Sequence, residues 1–213
     1  MPVEGSATPG VVGPRPSLWN LPNGLTGLRI LLVPVLGWLL LSDGGHDTRL
    51  RVWACIVFFL AILTDRYDGD IARRRNLVTD FGKILDPIAD KALTGMAFIG
   101  LSLIDELWWW VTVVVLFREA LVTVLRFWVI RLGVIAASRG GKIKTTLQAL
   151  ALMGLILPFR QLTGGWHAVG QAFWWGAVLV MAAAVVVTVA TGVDYVRRAL
   201  ELRRVARTPG RGG

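Results

Sequence analysis

Apolar residues run through this chain in blocks, not in the one-sided stripes of a soluble helical protein. Ala168–Val193 is uncharged throughout, and crossing a hydrocarbon core takes roughly 20 apolar residues. Ile30–Ser42, Val52–Thr64, Ala92–Ile104, Leu107–Phe117 and Thr145–Phe159 are shorter. They nevertheless lack a polar face, since stretches such as VTVVVLF and QALALMGLILPF are apolar all round. The pattern predicts an all-α polytopic membrane protein whose short blocks gain length from flanking residues, some charged and turned toward the bundle interior or a wet cavity. Six transmembrane helices are expected, approximately Leu25–Leu41, Val52–Arg73, Gly82–Ile104, Leu107–Leu132, Ile143–Phe159 and Ala168–Ala199. Before them, Ser17–Asn23 (SLWNLPN), with Trp19 and the helix-breaking Pro22, predicts a short N-terminal interfacial helix.

Charge orients these spans. Arg73, Arg74, Arg75 and Lys83 lie between the second and third helices, Arg139, Lys142 and Lys144 between the fourth and fifth, and Arg197, Arg198, Arg203, Arg204 and Arg207 after the sixth. The opposite ends carry Arg49, Arg51 and Arg160 with Asp43, Asp47, Asp105 and Glu106. The positive-inside rule then places both termini in the cytoplasm of a multi-pass protein of the cell (inner or plasma) membrane. Trp38, Trp53, Trp108, Trp109, Trp110 and Trp166 fall near the outer ends, as interfacial anchors do. Residues 1–16 read as a disordered tail without a signal-peptide core, 17–200 as one membrane domain, and 201–213 as a basic tail against anionic lipid.

Composition narrows the chemistry. The 213 residues carry a net charge of +9 and are 54% hydrophobic; the basic excess is read as facing lipid, and no nucleic-acid partner is expected. Cys55 lies alone in an apolar block, which excludes a disulfide framework and a Cys-rich zinc site. His46 and His167 sit in separate Gly-rich polar stretches. Any chemistry therefore rests on Asp, Glu, Arg and Lys.

The informative segment is Thr64–Lys91, TDRYDGDIARRRNLVTDFGKILDPIADK. Asp65 and Asp68 are three apart at the end of the second helix, and Asp86 and Asp90 four apart near the start of the third, so each pair lines one helical face. A short connection makes the helices antiparallel neighbours, and all four carboxylates can converge. Unneutralised, they would repel and force protons onto one another. A cation is the natural partner; an all-oxygen set suits Mg²⁺ or Mn²⁺, and a cluster this acidic has room for two ions. Gly69 and Ala72 follow Asp68 by one and four residues, and Gly82 precedes Asp86 by four, removing bulk where a large group must approach. Arg73 offers a bidentate guanidinium to phosphate. Acids, gaps and arginine together describe a pocket for a nucleotide diphosphate.

The stretch reads D-x-x-D-G-x-x-A-R, eight residues, then G-x-x-x-D-x-x-x-D, and it resembles the signature of the CDP-alcohol phosphotransferase family at every fixed position. The resemblance implies a six-helix integral membrane enzyme that moves a phosphatidyl or similar group from a CDP-linked donor to an alcohol, releasing CMP. It implies that Asp65, Asp68 and Asp86 hold the metals, that Asp90 is a further ligand and the general base, and that Gly69, Ala72, Arg73 and Gly82 border the CDP. Outside the motif, NLPNGLTGLRILLVP, RNLVTDFGKILDPIADK, REALVTVLR and AASRGGKIKTTLQ are most similar to members that join CDP-diacylglycerol to glycerol 3-phosphate. Arg66 and Asp70 depart from the pattern, where a more apolar or aromatic residue is expected. Family members are commonly homodimers.

Glycerol 3-phosphate is a dianion, so its site needs cations near the metals. Arg118, Glu119 and Arg126 interrupt the fourth helix; at about 100° per residue Glu119 and Arg126 share a face, with Arg118 within about 80° of Arg126. The loop Ser138–Lys144 (SRGGKIK), with Gly140 and Gly141, adds Ser138, Lys142 and Lys144 at the cytoplasmic end of the fifth helix, whose N-terminal amides also favour an anion. Arg118, Arg126, Ser138, Lys142 and Lys144 are the candidates for acceptor phosphate, although both lysines also suit a role as positive-inside anchors. Asn23 and Thr26 are candidates to reach the cytidine or donor. Two alternatives compete. A relative with another acceptor, inositol phosphate or phosphatidylglycerol, would share the motif. A cation transporter would spread its carboxylates through the membrane depth and repeat itself internally.

Overall fold

A computed structural model of the protein describes residues 21–75, 80–129 and 139–207. Within these, side chains at 21–23, 65–75, 80–87, 126–129, 139–140, 142, 202 and 204–207 lie outside the description, as do the tail 1–16 and residues 17–20 of the expected interfacial helix. Six α-helices follow one another: α1 (Leu21–Leu41), α2 (Thr48–Arg75), α3 (Asp80–Leu103), α4 (Trp109–Val129), α5 (Arg139–Ile156) and α6 (His167–Arg207). No strand occurs among the described residues. Gly24–Gly45 and Gly164–Glu201 are long and apolar enough to cross a membrane by themselves. The block Val52–Thr64 is lengthened by its flanks, as expected, into the 28-residue α2.

Most helix ends differ by a few residues from the sequence reading, and three of the differences are informative. Pro22 and Asn23, expected to close a short separate helix, are part of α1. Gly140 and Gly141 belong to the first turn of α5, not to a loop before it. Residues 201–207 of the basic tail continue α6; Arg198 pairs with Asp194 one turn earlier at 3.0 Å, and the Ala, Leu, Glu and Arg that follow are good helix formers.

Small residues let the helices approach. α1 packs on α2 and α3, and α6 on α4 and α5. A Cβ on Gly37 of α1 would lie 2.9 Å from Met96 Sδ on α3, and one on Gly154 of α5 would lie 2.7 Å from Ala177 Cβ on α6. Between the helices, Leu36, Leu40, Phe58, Leu93, Phe98, Leu101, Leu152 and Leu155 form one buried core. The outside is apolar as well: Leu31, Phe117, Leu179 and Val186 are all exposed. Water does not favour an exterior of that kind, whereas hydrocarbon does. The six tryptophans expected at the outer ends are exposed too.

Those ends are stitched together. Gln161 Nε2 donates to Gly45 O at 2.8 Å and Thr48 Oγ1 donates to Gln161 Oε1 at 2.9 Å. At the α3–α4 turn, Asp105 adopts φ +57°, a left-handed residue of the kind that closes a helix, and Glu106 N donates back to Leu101 O at 2.9 Å. The turn aims Glu106 inward. There Arg51 Nη1 donates to Glu106 Oε1 at 2.6 Å, and Arg51 Nε and Nη2 donate to Ile156 O and Leu155 O, two carbonyls at the end of α5. Trp174 Nε1 donates to Glu106 Oε2 at 2.9 Å. Arg160 lies 3.6 Å from the same oxygen and 4.8 Å from the Trp174 ring centroid. Arg51 is only 1% exposed, so a residue that reads in sequence as an outer loop charge is a fully paired tie between α2, α5, α6 and the α3–α4 turn.

Candidate active site

With the outer connections joined, the up-and-down order places the end of α2, the start of α3, the end of α4 and the start of α5 at the opposite, inner end. Asp65 and Asp68 lie on the helical backbone of α2, and Asp86 and Asp90 on that of α3. The spacings of three and four therefore act on real helices, and each pair shares a face. Side chains of Asp65, Asp68 and Asp86, and of Arg73 near them, lie outside the described residues, as do those of Asn23, Ala72, Arg126 and Lys142 and the whole of Ser138. Gly69 and Gly82 are placed only as positions on α2 and α3. Asp90 is described and exposed, and its carbonyl accepts from Thr94 Oγ1 at 2.9 Å. Carboxylate oxygens are hard donors of the kind that suits Mg²⁺ or Mn²⁺; of the four expected ligands only the Asp90 side chain is among the described ones.

Thr26 on α1 is buried, and one turn later on the same face so is Arg29. Gly24 and Gly27 lie on the exposed side of α1, where a Cβ would meet no described residue within 4 Å. α1 packs on both acid-bearing helices.

Two of the acceptor candidates meet. Arg118 Nη1 donates to Glu119 Oε1 at 3.1 Å, and Lys144 Nζ donates to that same oxygen. Arg118 also donates from Nε to Thr188 O at 3.1 Å and from Nη2 to Thr191 Oγ1 at 3.0 Å, both on α6. Lys144 is 5% exposed. An anchor for lipid head groups would snorkel outward; Lys144 is instead paired with Glu119 inside the bundle.

Sequence reasoning did not single out Lys91, whose Nζ donates to Thr123 Oγ1 and so joins α3 to α4 beside Asp90. Its signal is a cation directly after the last acid of the motif. Gln148 and Thr188 also escaped notice; Gln148 Nε2 donates to Thr188 Oγ1 at 3.1 Å in a buried contact between α5 and α6. Both are polar residues inside otherwise apolar helix stretches, a pattern that marks interhelical contacts in membranes.

Six helices with a paired-aspartate motif on consecutive helix ends define a class, and the comparison with known families agrees: the family described as CDP-alcohol phosphatidyltransferase matches residues 19–190. The chain belongs to that family and is a transferase. It is 51% identical over 191 residues to a probable phosphatidylglycerophosphate synthase of Mycobacterium tuberculosis, covering 90% of this chain and 87% of the relative. It is 41% identical over 150 residues to the CDP-diacylglycerol–glycerol-3-phosphate 3-phosphatidyltransferase of Bacillus subtilis, covering 66% of this chain and 78% of the relative. A protein of the same name from Rickettsia felis is 43% identical over 139 residues, 65% of this chain and 75% of the relative.

Proposed function

We propose that this protein transfers the phosphatidyl group of CDP-diacylglycerol to glycerol 3-phosphate, yielding phosphatidylglycerol phosphate and CMP. The observation that carries the reading is the full family signature on the ends of α2 and α3, in a chain 51% identical to a probable phosphatidylglycerophosphate synthase. All six helices cross the membrane, with both termini and the acidic end in the cytoplasm; the exposed apolar exterior supports the crossing, and the excess of Arg and Lys at the inner ends supports the orientation. The domain spans 17–200, and the family resemblance carries a homodimeric assembly with it.

Asp65, Asp68, Asp86 and Asp90 would hold one or two Mg²⁺ or Mn²⁺ ions, which supply neutralisation of the diphosphate. Gly69, Ala72 and Gly82 leave space for the CDP head group, Arg73 meets its phosphates, and Asn23 and Thr26 border it from α1. The donor's acyl chains stay in lipid while the head group enters at the inner leaflet. Asp90 takes the proton from the C1 hydroxyl of glycerol 3-phosphate. The oxygen then forms its bond to the phosphorus that carries diacylglycerol, and the bond from that phosphorus to CMP breaks. Lys144 and Arg118, with Arg126, Ser138 and Lys142 at the same inner end, provide the positive surroundings that the acceptor phosphate needs.

The purified protein, given CDP-diacylglycerol and each of glycerol 3-phosphate, inositol phosphate and phosphatidylglycerol, is expected to release CMP with the first. Release with either of the others instead would reassign the acceptor. Metal flux into liposomes without CMP would overturn the enzymatic reading altogether.

A further inference from the structure

Glu119 has no step in the reaction just described, yet two cations of the candidate acceptor site share one of its oxygens. A lysine ammonium on its flexible stem presents a defined direction only when something holds it. The carboxylate that holds Lys144 is itself fixed. Arg118 ties it to α6 through Thr188 O and Thr191 Oγ1, and its stem lies where Gly192 has no side chain; a Cβ there would stand 3.1 Å from Arg118 Cγ. Gln148, one turn beyond Lys144, secures α5 to the same stretch of α6. From the other side, Lys91 binds Thr123 Oγ1, whose hydroxyl donates to the Glu119 carbonyl at 2.7 Å. Glu119 is thus the meeting point of α3, α4, α5 and α6. An ammonium has three donors; with one committed to Glu119, two remain for phosphate oxygens.

We propose that Glu119 is a positioning residue for the acceptor: it holds the Lys144 ammonium at the same α3–α4 junction to which Lys91, the residue after Asp90, is tied, so that the phosphate of glycerol 3-phosphate binds with its hydroxyl directed at the Asp90 carboxylate. The inference rests on the acceptor assignment above. Arg118 acts as the strut that fixes Glu119 to α6.

The test uses the purified full-length protein with Mg²⁺, CDP-diacylglycerol and glycerol 3-phosphate. Glu119→Gln is expected to raise the KM for glycerol 3-phosphate about tenfold, the size of one charge-assisted hydrogen bond, with the donor KM within about twofold of wild type. Calorimetric Kd values for glycerol 3-phosphate should rise in parallel. Lys144→Met should raise the same KM, and adding Glu119→Gln to it should change nothing further, because the carboxylate acts through the lysine. An unchanged acceptor KM in Glu119→Gln, an equal increase in both backgrounds, or a joint shift of both KM values would overturn the proposal. Should Glu119→Gln fail to fold, Glu119→Asp replaces it. One methylene shorter, it cannot reach both cations, and an acceptor KM raised less than about threefold would be equally fatal. Absence of CMP release by the wild-type protein with glycerol 3-phosphate defeats the acceptor assignment itself, and the inference with it.

Discussion

The tie at the outer end makes a quantitative prediction. Arg51→Met keeps an apolar stem of similar shape but deletes a guanidinium that is 1% exposed and makes a 2.6 Å contact to Glu106. The variant leaves Glu106, 8% exposed, with Trp174 Nε1 at 2.9 Å and Arg160 at 3.6 Å. It also strips two carbonyls at the end of α5 of their donors. Removing one partner of a buried ion pair costs about 3–5 kcal/mol. At about 2–4 °C per kcal/mol for a chain of this size, Tm should fall by roughly 6–20 °C. Scanning fluorimetry of the detergent-purified protein at a fixed scan rate would measure it. The double variant Arg51→Met/Glu106→Gln no longer buries an unpaired charge, and Gln still accepts from Trp174. It should therefore lose less than the sum of the two single variants, by about 0.5–3 kcal/mol. A Tm unchanged in Arg51→Met, or strict additivity in the double variant, would show that the pair is not a structural tie. CMP release per folded molecule should stay near wild type, since the tie lies at the opposite end from the aspartates.

Three further outcomes are expected. Asp90→Asn should lower CMP release by at least about 100-fold while CDP-diacylglycerol binding is largely retained, and full activity in that variant would refute its role as the base. Chelation with EDTA should abolish turnover, and Mg²⁺ or Mn²⁺ should restore it; persistence of full activity in EDTA after exhaustive dialysis would remove the metal from the reading. Gly154→Leu should destabilise the protein by about 1–3 kcal/mol in thermal unfolding, because even a Cβ at that position would approach Ala177 to 2.7 Å; an undiminished Tm would mean that α5 and α6 do not meet there.

How far sequence carried the reading depended on whether a feature is local or tertiary. The helices were legible because an apolar block with no polar face has few other uses, and the aspartate motif because spacings of three and four act within single turns. Arg51 was not legible. Its partners Glu106, Leu155 and Ile156 stand 55, 104 and 105 positions away, and nothing in the local pattern separates a guanidinium folded into the core from one left at a loop. Lys144 shows the same difficulty at the other end, because a lysine at the start of a membrane helix fits an interfacial anchor as well as a phosphate site. Burial against Glu119 speaks against the interfacial anchor, and burial is a property of α4 and α5 together. The two clusters also differ in what they leave over. At the outer end Arg51 spends its Nε and both terminal nitrogens on protein oxygens, so that charge is consumed by the fold. At the inner end Lys144 commits one donor to Glu119, and the phosphate role proposed for it would use the two that remain.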